Sequence, residues 1–299
     1  MNYCIIICGP TAIGKTTLAI ELANYFSTEI ISADSRQCYR ELNIGVAKPS
    51  EEQLSSIRHH FINSHSITQP VTVADFEQDA LKAVEEIFKK QSIAIMVGGT
   101  GLYIRAFTQG MDHIPPISNT LRTSLMDQYV RKGKDWLIEE IKTQDPEYFA
   151  KGEIHNPQRT LRALEVKLAS GKSILTFQTG THKNRNFKCI VIGLQMERPM
   201  LYDRINKRVE DMVQQGLEAE ARSLYGFRHL NALQTVGYQE FFEYFDETIN
   251  RSRAIELIKQ HSRNYAKRQI TWFKNEPGIQ FCNPSFKELT ALLHHQIKP

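Results

Sequence analysis

Apolar positions along this chain follow two rhythms. The runs Tyr3 to Cys8, Glu29 to Ala33 and Ser92 to Val97 are short, rich in β-branched residues and closed by small residues, as buried strands are. Lys15 to Phe26 and Thr72 to Lys90 instead carry apolar residues at helical spacing. In the second of these, Val73, Phe76, Ala80, Leu81, Val84 and Phe88 fall on one side, and Glu77 and Glu85 are expected to face away. Strands and helices alternating at these lengths predict an α/β fold, a parallel sheet covered by helices on both faces.

The rhythm changes at Pro115-Pro116, a strong local breaker. Residues 117–188 read as helix, interrupted at Gly133, Pro146, Pro157 and Gly171, and Cys189 to Leu194 then resumes as a strand. The expectation is a core built from residues 1–116 and 189–299, with an all-helical insertion at 117–188. Pro199 to Phe273 reads mostly helical, with Tyr202, Ile205, Val209 and Met212 as one apolar stripe.

Composition narrows the setting. The 299 residues are 41% hydrophobic and 23% charged, enough for an ordinary buried core. Five cysteines, Cys4, Cys8, Cys38, Cys189 and Cys282, form no CxxC pair, which argues against a disulfide framework or a zinc site and for a reducing compartment. The apolar opening lacks a charged start and no stretch is long enough to span a bilayer, so the expected location is the cytoplasm, with no membrane contact. The formal charge is only +4, yet Arg251 to Lys274 holds seven Lys/Arg against Glu256 alone, and residues 117–188 carry 13 Lys/Arg against 8 Asp/Glu. Two basic surfaces of this kind suit a polyanionic partner.

Chemistry enters at Gly9-Pro-Thr-Ala-Ile-Gly-Lys-Thr16, which fits G-x-x-x-x-G-K-[ST] directly after an apolar strand and at the opening of a helix. In that context Gly9, Pro10, Thr11, Ala12, Ile13 and Gly14 form a loop whose backbone N–H groups wrap a diphosphate. Lys15 neutralises its oxygens and Thr16 holds Mg²⁺. The fold is therefore expected to be P-loop NTPase-like, although the loop alone does not say which diphosphate it takes. A GTPase's Asn-Lys-x-Asp motif is missing, and the strand ending at Val97 runs into Gly98-Gly99-Thr100-Gly101 rather than an acidic metal ligand. Asp34, at the carboxyl end of the second strand, is the candidate acid/base group, with a turn-capping role as the alternative.

Six segments in order resemble the tRNA dimethylallyltransferase family over essentially the whole chain: GPTAIGKT (Gly9 to Thr16), ADSRQCYRELNIGVAKPS (Ala33 to Ser50), GGTGLYIRA (Gly98 to Ala106), NPQRTLRALEV (Asn156 to Val166), YDRINKRVEDMVQQGLEAEA (Tyr202 to Ala221) and YAKRQITWFK (Tyr265 to Lys274). The resemblance implies transfer of a dimethylallyl group from dimethylallyl diphosphate to the exocyclic N6 of the adenosine at tRNA position 37, next to the anticodon. It implies that Lys15 and Thr16 hold the diphosphate and its magnesium, with Asp34 as a further metal contact and as the base that takes the amine proton. Thr100 would position the same nucleotide. Asp34, Ser35, Arg36 and Gln37 match one tRNA-contacting stretch of the family, and Gln158, Arg159, Thr160, Leu161 and Arg162 match another. Further contacts to the anticodon stem-loop are implied at Arg122, Gly237, Tyr238, Lys267, Arg268, Gln269, Trp272 and Lys274, while Gly237 equally suits a plain helix-start glycine and at least one of Trp272 and Phe273 is expected in the core. The chain departs from the family at Arg36, Asn43 and Val46, where Met, Asp and Thr are usual, which touches fine positioning and not the reaction. His59-His60 matches the family's paired histidines but lacks the acidic or cysteine neighbours of a metal site.

Three other readings stay open on the residues alone. An adenylate isopentenyltransferase acting on free AMP would need neither the insertion nor the basic C-terminal helix. A small-molecule kinase would use ATP at the same loop, and a nucleotide-dependent RNA-binding protein would do no chemistry. A monomer without a protein partner is expected.

Overall fold

In the computed structural model, which describes residues 1–180, 183–294 and 296–297, strands and helices alternate from the start. The order is β1 (Tyr3–Cys8), α1 (Lys15–Tyr25), β2 (Ile30–Ala33), α2 (Glu51–Ser56), β3 (His59–His60), α3 (Val73–Phe88), β4 (Ile93–Gly98) and α4 (Gly101–Gln109). Three helices follow, α5 (Asn119–Gln144), α6 (Pro146–Lys151) and α7 (Pro157–Ser170). The chain then returns through β5 (Lys188–Leu194), α8 (Arg198–Gln214), α9 (Leu217–Leu224), α10 (Gln239–Phe245), α11 (Arg251–Asn275), β6 (Gln280–Cys282) and α12 (Phe286–His294).

The strands form one sheet in the order β3-β2-β4-β1-β5-β6, and every neighbouring pair is parallel. All six residues of β1 are buried because both faces are covered. Cys4, Ile6 and Cys8 pack with α3 residues such as Phe76, Ala80 and Val84, whereas Tyr3, Ile5 and Ile7 pack with Leu18 and Leu22 of α1. This two-sided burial explains why the strands read as continuous apolar runs. The edge strands β3 and β6, two and three residues long, were not expected. A run that short carries no periodicity, and partners already in place define it.

Glu77 corrects the amphipathic reading of α3, since it lies inside at 6% exposure. Arg185 donates to its carboxylate at 2.8 Å, and also to the carbonyls of Phe107 at 2.8 Å and Ala106 at 2.9 Å near the end of α4. Periodicity assigns a carboxylate to water by default; here a guanidinium arriving from far along the chain supplies the counter-charge.

Residues Met1–Thr108 with Asn184–Pro299 make one compact unit and Gln109–Lys183 another. Pro115-Pro116 thus lies inside the second unit. Asn184 to Lys188 go with the sheet, because Arg185 is tied to α4 and Lys188 already pairs with Tyr3 of β1. The second unit has its own core, in which Leu125, Leu137, Ile141, Tyr148, Leu161 and Leu164 take part. No helix among the described residues is long and apolar enough to cross a membrane.

Candidate active site

The loop between β1 and α1 is built by backbone conformation. Gly14, which precedes the first helical residue, is left-handed at φ 102°, and Ala12 is left-handed at φ 63°. Glycine adopts that region freely; alanine does so only where the surroundings hold it there. Left-handed residues among right-handed ones turn successive N–H groups toward one concavity. Ile13, fully buried beneath, and Pro10, buried and without an N–H, pin the loop rather than line it. Thr11, Ala12, Gly14, Lys15 and Thr16 line a cavity of about 380 Å³. Lys15 Nζ donates to the Pro10 carbonyl at 2.7 Å. Burial, followed by the nearby Arg208, pushes the Lys15 pKa down to about 8, with Asp34 pulling the other way.

The opposite wall comes from α8. Arg204, Lys207, Arg208 and Asp211 line the same cavity at i, i+3, i+4 and i+7, one face of a helix. Arg204 donates to the Ile13 carbonyl at 3.2 Å and Arg208 to Thr11 Oγ1 at 3.4 Å. Burial lowers the Arg208 pKa and Asp34 raises it. None of these four was singled out from the sequence, although that helical spacing, with three cations, lay within a segment already matched to the family.

Asp34 sits just past the end of β2 and combines both readings made of it. Its Oδ1 accepts from the backbone N–H groups of Arg36 at 2.8 Å and Gln37 at 3.3 Å, so the turn role is real and the second carboxylate oxygen is outside it. Asp34 also lines a second cavity of about 350 Å³, together with Ser35, Arg36, Tyr265 and Arg268. The two cavities share Thr11, Ala12, Asp34, Val46 and Arg208, so Asp34 stands where two compartments meet. Thr100 is close by: its Oγ1 accepts from the Ser35 N–H at 3.1 Å, and its side chain lies beside the Tyr265 hydroxyl. Burial, then the charge of Asp34, pushes the Tyr265 hydroxyl pKa up.

The loop carrying Val46 is fixed from two sides. Glu220 accepts from the N–H groups of Ile44 at 2.8 Å and Gly45 at 2.9 Å, and from the Tyr238 hydroxyl at 2.6 Å. Gln37 turns inward, its Nε2 donating to the carbonyls of Val46 at 3.2 Å and Ala47 at 3.1 Å. Arg36 stays on the cavity side and reaches Asn231 at 3.3 Å.

Several expected RNA contacts are internal instead. Tyr238 is fully buried on Glu220, and Gly237 is a buried left-handed residue at φ 101° whose N–H donates to Glu240 at 2.8 Å just before α10. Thr160 is fully buried, its hydroxyl spent on the carbonyls of Glu153, Ile154 and Asn156, and Leu161 belongs to the core of its unit. Gln269 is buried, with both ends of its amide used inside the protein. Thr160, Leu161 and Gln269 lie on helices, which turn some residues of any contiguous stretch inward, whereas Gly237 and Tyr238 lie in the turn before α10, where Gly237 serves as the helix-start glycine. Phe273 is core, and Trp272 is partly buried with Arg105 stacked 4.5 Å from its ring. Lys267, Arg268 and Lys274 are exposed on α11, as are Gln158 and Arg159 on α7. Arg122 and Arg162 share the buried carboxylate of Glu165 at 3.4 and 3.0 Å. His60 is bound to Glu29 at 2.6 Å.

A magnesium ion would suit the first cavity by donor chemistry, since the Thr16 hydroxyl and the Asp34 carboxylate are both hard oxygen donors on its wall. Among the described residues no group of three or more His, Cys, Asp or Glu could hold a metal alone, so its other ligands would come from diphosphate oxygens and water.

Comparison with known proteins places these features in company. Residues 37–276 match a family model described as IPP transferase. A protein of Christiangramia forsetii named tRNA dimethylallyltransferase is 48% identical over 280 residues, covering 94% of this chain and 93% of its own. One of Flavobacterium johnsoniae with the same name is 43% identical over 304 residues, covering 100% and 98%. The crystal structure of the full-length tRNA isopentenylpyrophosphate transferase from Bacillus halodurans superposes with a TM-score of 0.72 at 34% identity, covering 99% of this chain and 95% of that one. A eukaryotic dimethylallyltransferase acting on tRNA superposes at 0.79 with 25% identity, covering 98% and 78%.

Proposed function

The chain belongs to the IPP transferase family, and from that premise we propose that it transfers a dimethylallyl group from dimethylallyl diphosphate to N6 of adenosine 37 in tRNA, releasing diphosphate. The observation that carries the residue assignment is the position of Asp34 between a cavity walled by the phosphate loop and α8 cations and one walled by Ser35, Arg36 and Tyr265.

The diphosphate lies in the first cavity on the loop N–H groups, Lys15, Lys207 and Arg208. The target adenine enters the second. Its exocyclic amine is a weak nucleophile because the lone pair is delocalised into the ring. Asp34 therefore takes the amine proton on the oxygen its turn leaves over, as N6 bonds to the allylic carbon and the carbon–oxygen bond to the diphosphate breaks. The electron pair of that bond leaves with the diphosphate, and preorganised cations and amides stabilise the charge as it grows. Thr100, held by Ser35, orients the base. Val46, Val209 and Met212 give the apolar wall that keeps water from the allylic carbon. Thr16 would hold a magnesium ion, which when bound neutralises the departing diphosphate. The metal and base roles compete for the same Asp34 oxygen, and we assign it to the base. Lys267, Arg268 and Lys274 of α11, with Gln158 and Arg159 of α7, meet the RNA backbone. The cytoplasm, where its acceptor is found, is the location we assign.

The test is transfer of radiolabel from dimethylallyl diphosphate, with magnesium, to unmodified tRNA and in parallel to AMP. Label should enter tRNA only, and Asp34→Asn should lower turnover by roughly 100-fold or more while tRNA affinity stays. Label in AMP alone would make this a free-nucleotide enzyme, and equal loss of affinity and turnover would remove Asp34 as the base.

A further inference from the structure

One face of α11 is laid against the Gly98–Gly101 turn, residue by residue. Tyr265 lies beside Thr100, Gln269 Nε2 donates to the Gly99 carbonyl at 2.9 Å, and Trp272 packs on Gly101. These three positions follow at i, i+4 and i+7, one side of a helix. The glycines are shaped to receive them: a Cβ on Gly99 would collide with the Gln269 amide, and one on Gly101 with the Trp272 indole. Gln269 alone reaches further, for its Oε1 accepts from the Thr11 N–H of the phosphate loop at 2.8 Å. At 6% exposure its amide is closed off from water. A single side chain thus ties the end of β4 to the loop after β1.

We infer that Gln269 is a positioning residue for the donor diphosphate: it holds the phosphate loop and the Thr100 turn at a fixed separation, and it does not contact RNA. The amide is suited to this because it accepts at one end and donates at the other, matching an N–H and a C=O that would otherwise be buried unpaired. Its neighbours Lys267 and Arg268 are exposed on the same helix, so the stretch is divided by helical geometry into an outer cationic face and an inner strut.

This inference rests on tRNA prenyl transfer as the reaction, and the same assay separates the two. Gln269→Met keeps length and loses both hydrogen bonds. Gln269→Glu keeps an acceptor for Thr11 but, when ionised, offers no donor to Gly99. In the Met variant kcat/KM for dimethylallyl diphosphate should fall about tenfold or more, with tRNA affinity by filter binding unchanged. In the Glu variant the activity relative to wild type should recover as pH is lowered, because protonation of a buried carboxyl restores the donor; the Met variant's ratio should stay flat. If Gln269→Met does not fold, Gly99→Ala perturbs the same amide from the other side and should raise KM for the diphosphate in the same way. Loss confined to tRNA affinity, or wild-type kinetics in both Gln269 variants, would overturn the strut. Absence of label transfer by the wild type would instead sink the reaction assignment.

Discussion

Lys15 is expected to weaken the ligand-free fold it serves. Its amine is pushed from 10.5 to about 8 by burial and by Arg208. At about 1.4 kcal/mol per pH unit, keeping it charged in the folded state costs up to ~3 kcal/mol below the folded pKa. Lys15→Met removes that cost but leaves the Pro10 carbonyl without its 2.7 Å donor, a loss of about 1 kcal/mol. The variant should therefore be more stable than wild type by about 2 kcal/mol near neutral pH, while losing transfer activity. Between the folded and unfolded pKa values the unfolded chain binds more protons, so wild-type stability climbs with pH across that window and the variant's advantage should shrink. Urea unfolding without ligand at about pH 7 and about pH 9.5 measures both gaps. Adding dimethylallyl diphosphate should stabilise wild type more than the variant, since the variant keeps the loop N–H groups, Lys207 and Arg208 but lacks the charge of Lys15. A wild type at least as stable as Lys15→Met at neutral pH, or a gap that does not change with pH, would refute the reasoning.

Other perturbations test the supports around the site. Glu220→Ala should cost about 3 kcal/mol in urea unfolding, because the Ile44 and Gly45 N–H groups and the Tyr238 hydroxyl lose a charged acceptor together. It should also raise KM for tRNA by loosening the Val46 loop. Arg185→Met removes one side chain that serves Glu77 and the carbonyls of Ala106 and Phe107, and should lower stability by about 2–4 kcal/mol, read as a shift of the urea midpoint at constant slope. Arg268→Ala with Lys274→Ala should weaken tRNA binding and flatten its dependence on salt, by roughly one unit of slope for each phosphate no longer neutralised. An unchanged slope would take the outer face of α11 off the RNA.

Features confined to a few neighbouring residues were legible in the chain. The phosphate loop announces itself because a tight turn, a helix start and a lysine must follow one another at fixed spacing. β1, β2 and β4 do so because two-sided burial demands apolar runs. Asp34 was legible as a strand-end acid, and the structure gave it two partners and a place between two cavities. Features that join distant segments were not legible. Nothing in the sequence says that Glu77 meets Arg185, that Glu220 grips the Ile44 and Gly45 amides, or that Arg208 faces Lys15. Nor does a stretch matched to a family say which of its members look outward: Lys267 and Arg268 do, whereas Gln269, one residue on, reaches inward to Thr11 and Gly99. Local backbone rules act between residues a few positions apart and leave their mark in composition and period. Which buried polar group answers another is settled only when helices and turns far apart in the chain pack together and exclude water, so that each donor left inside must find an acceptor.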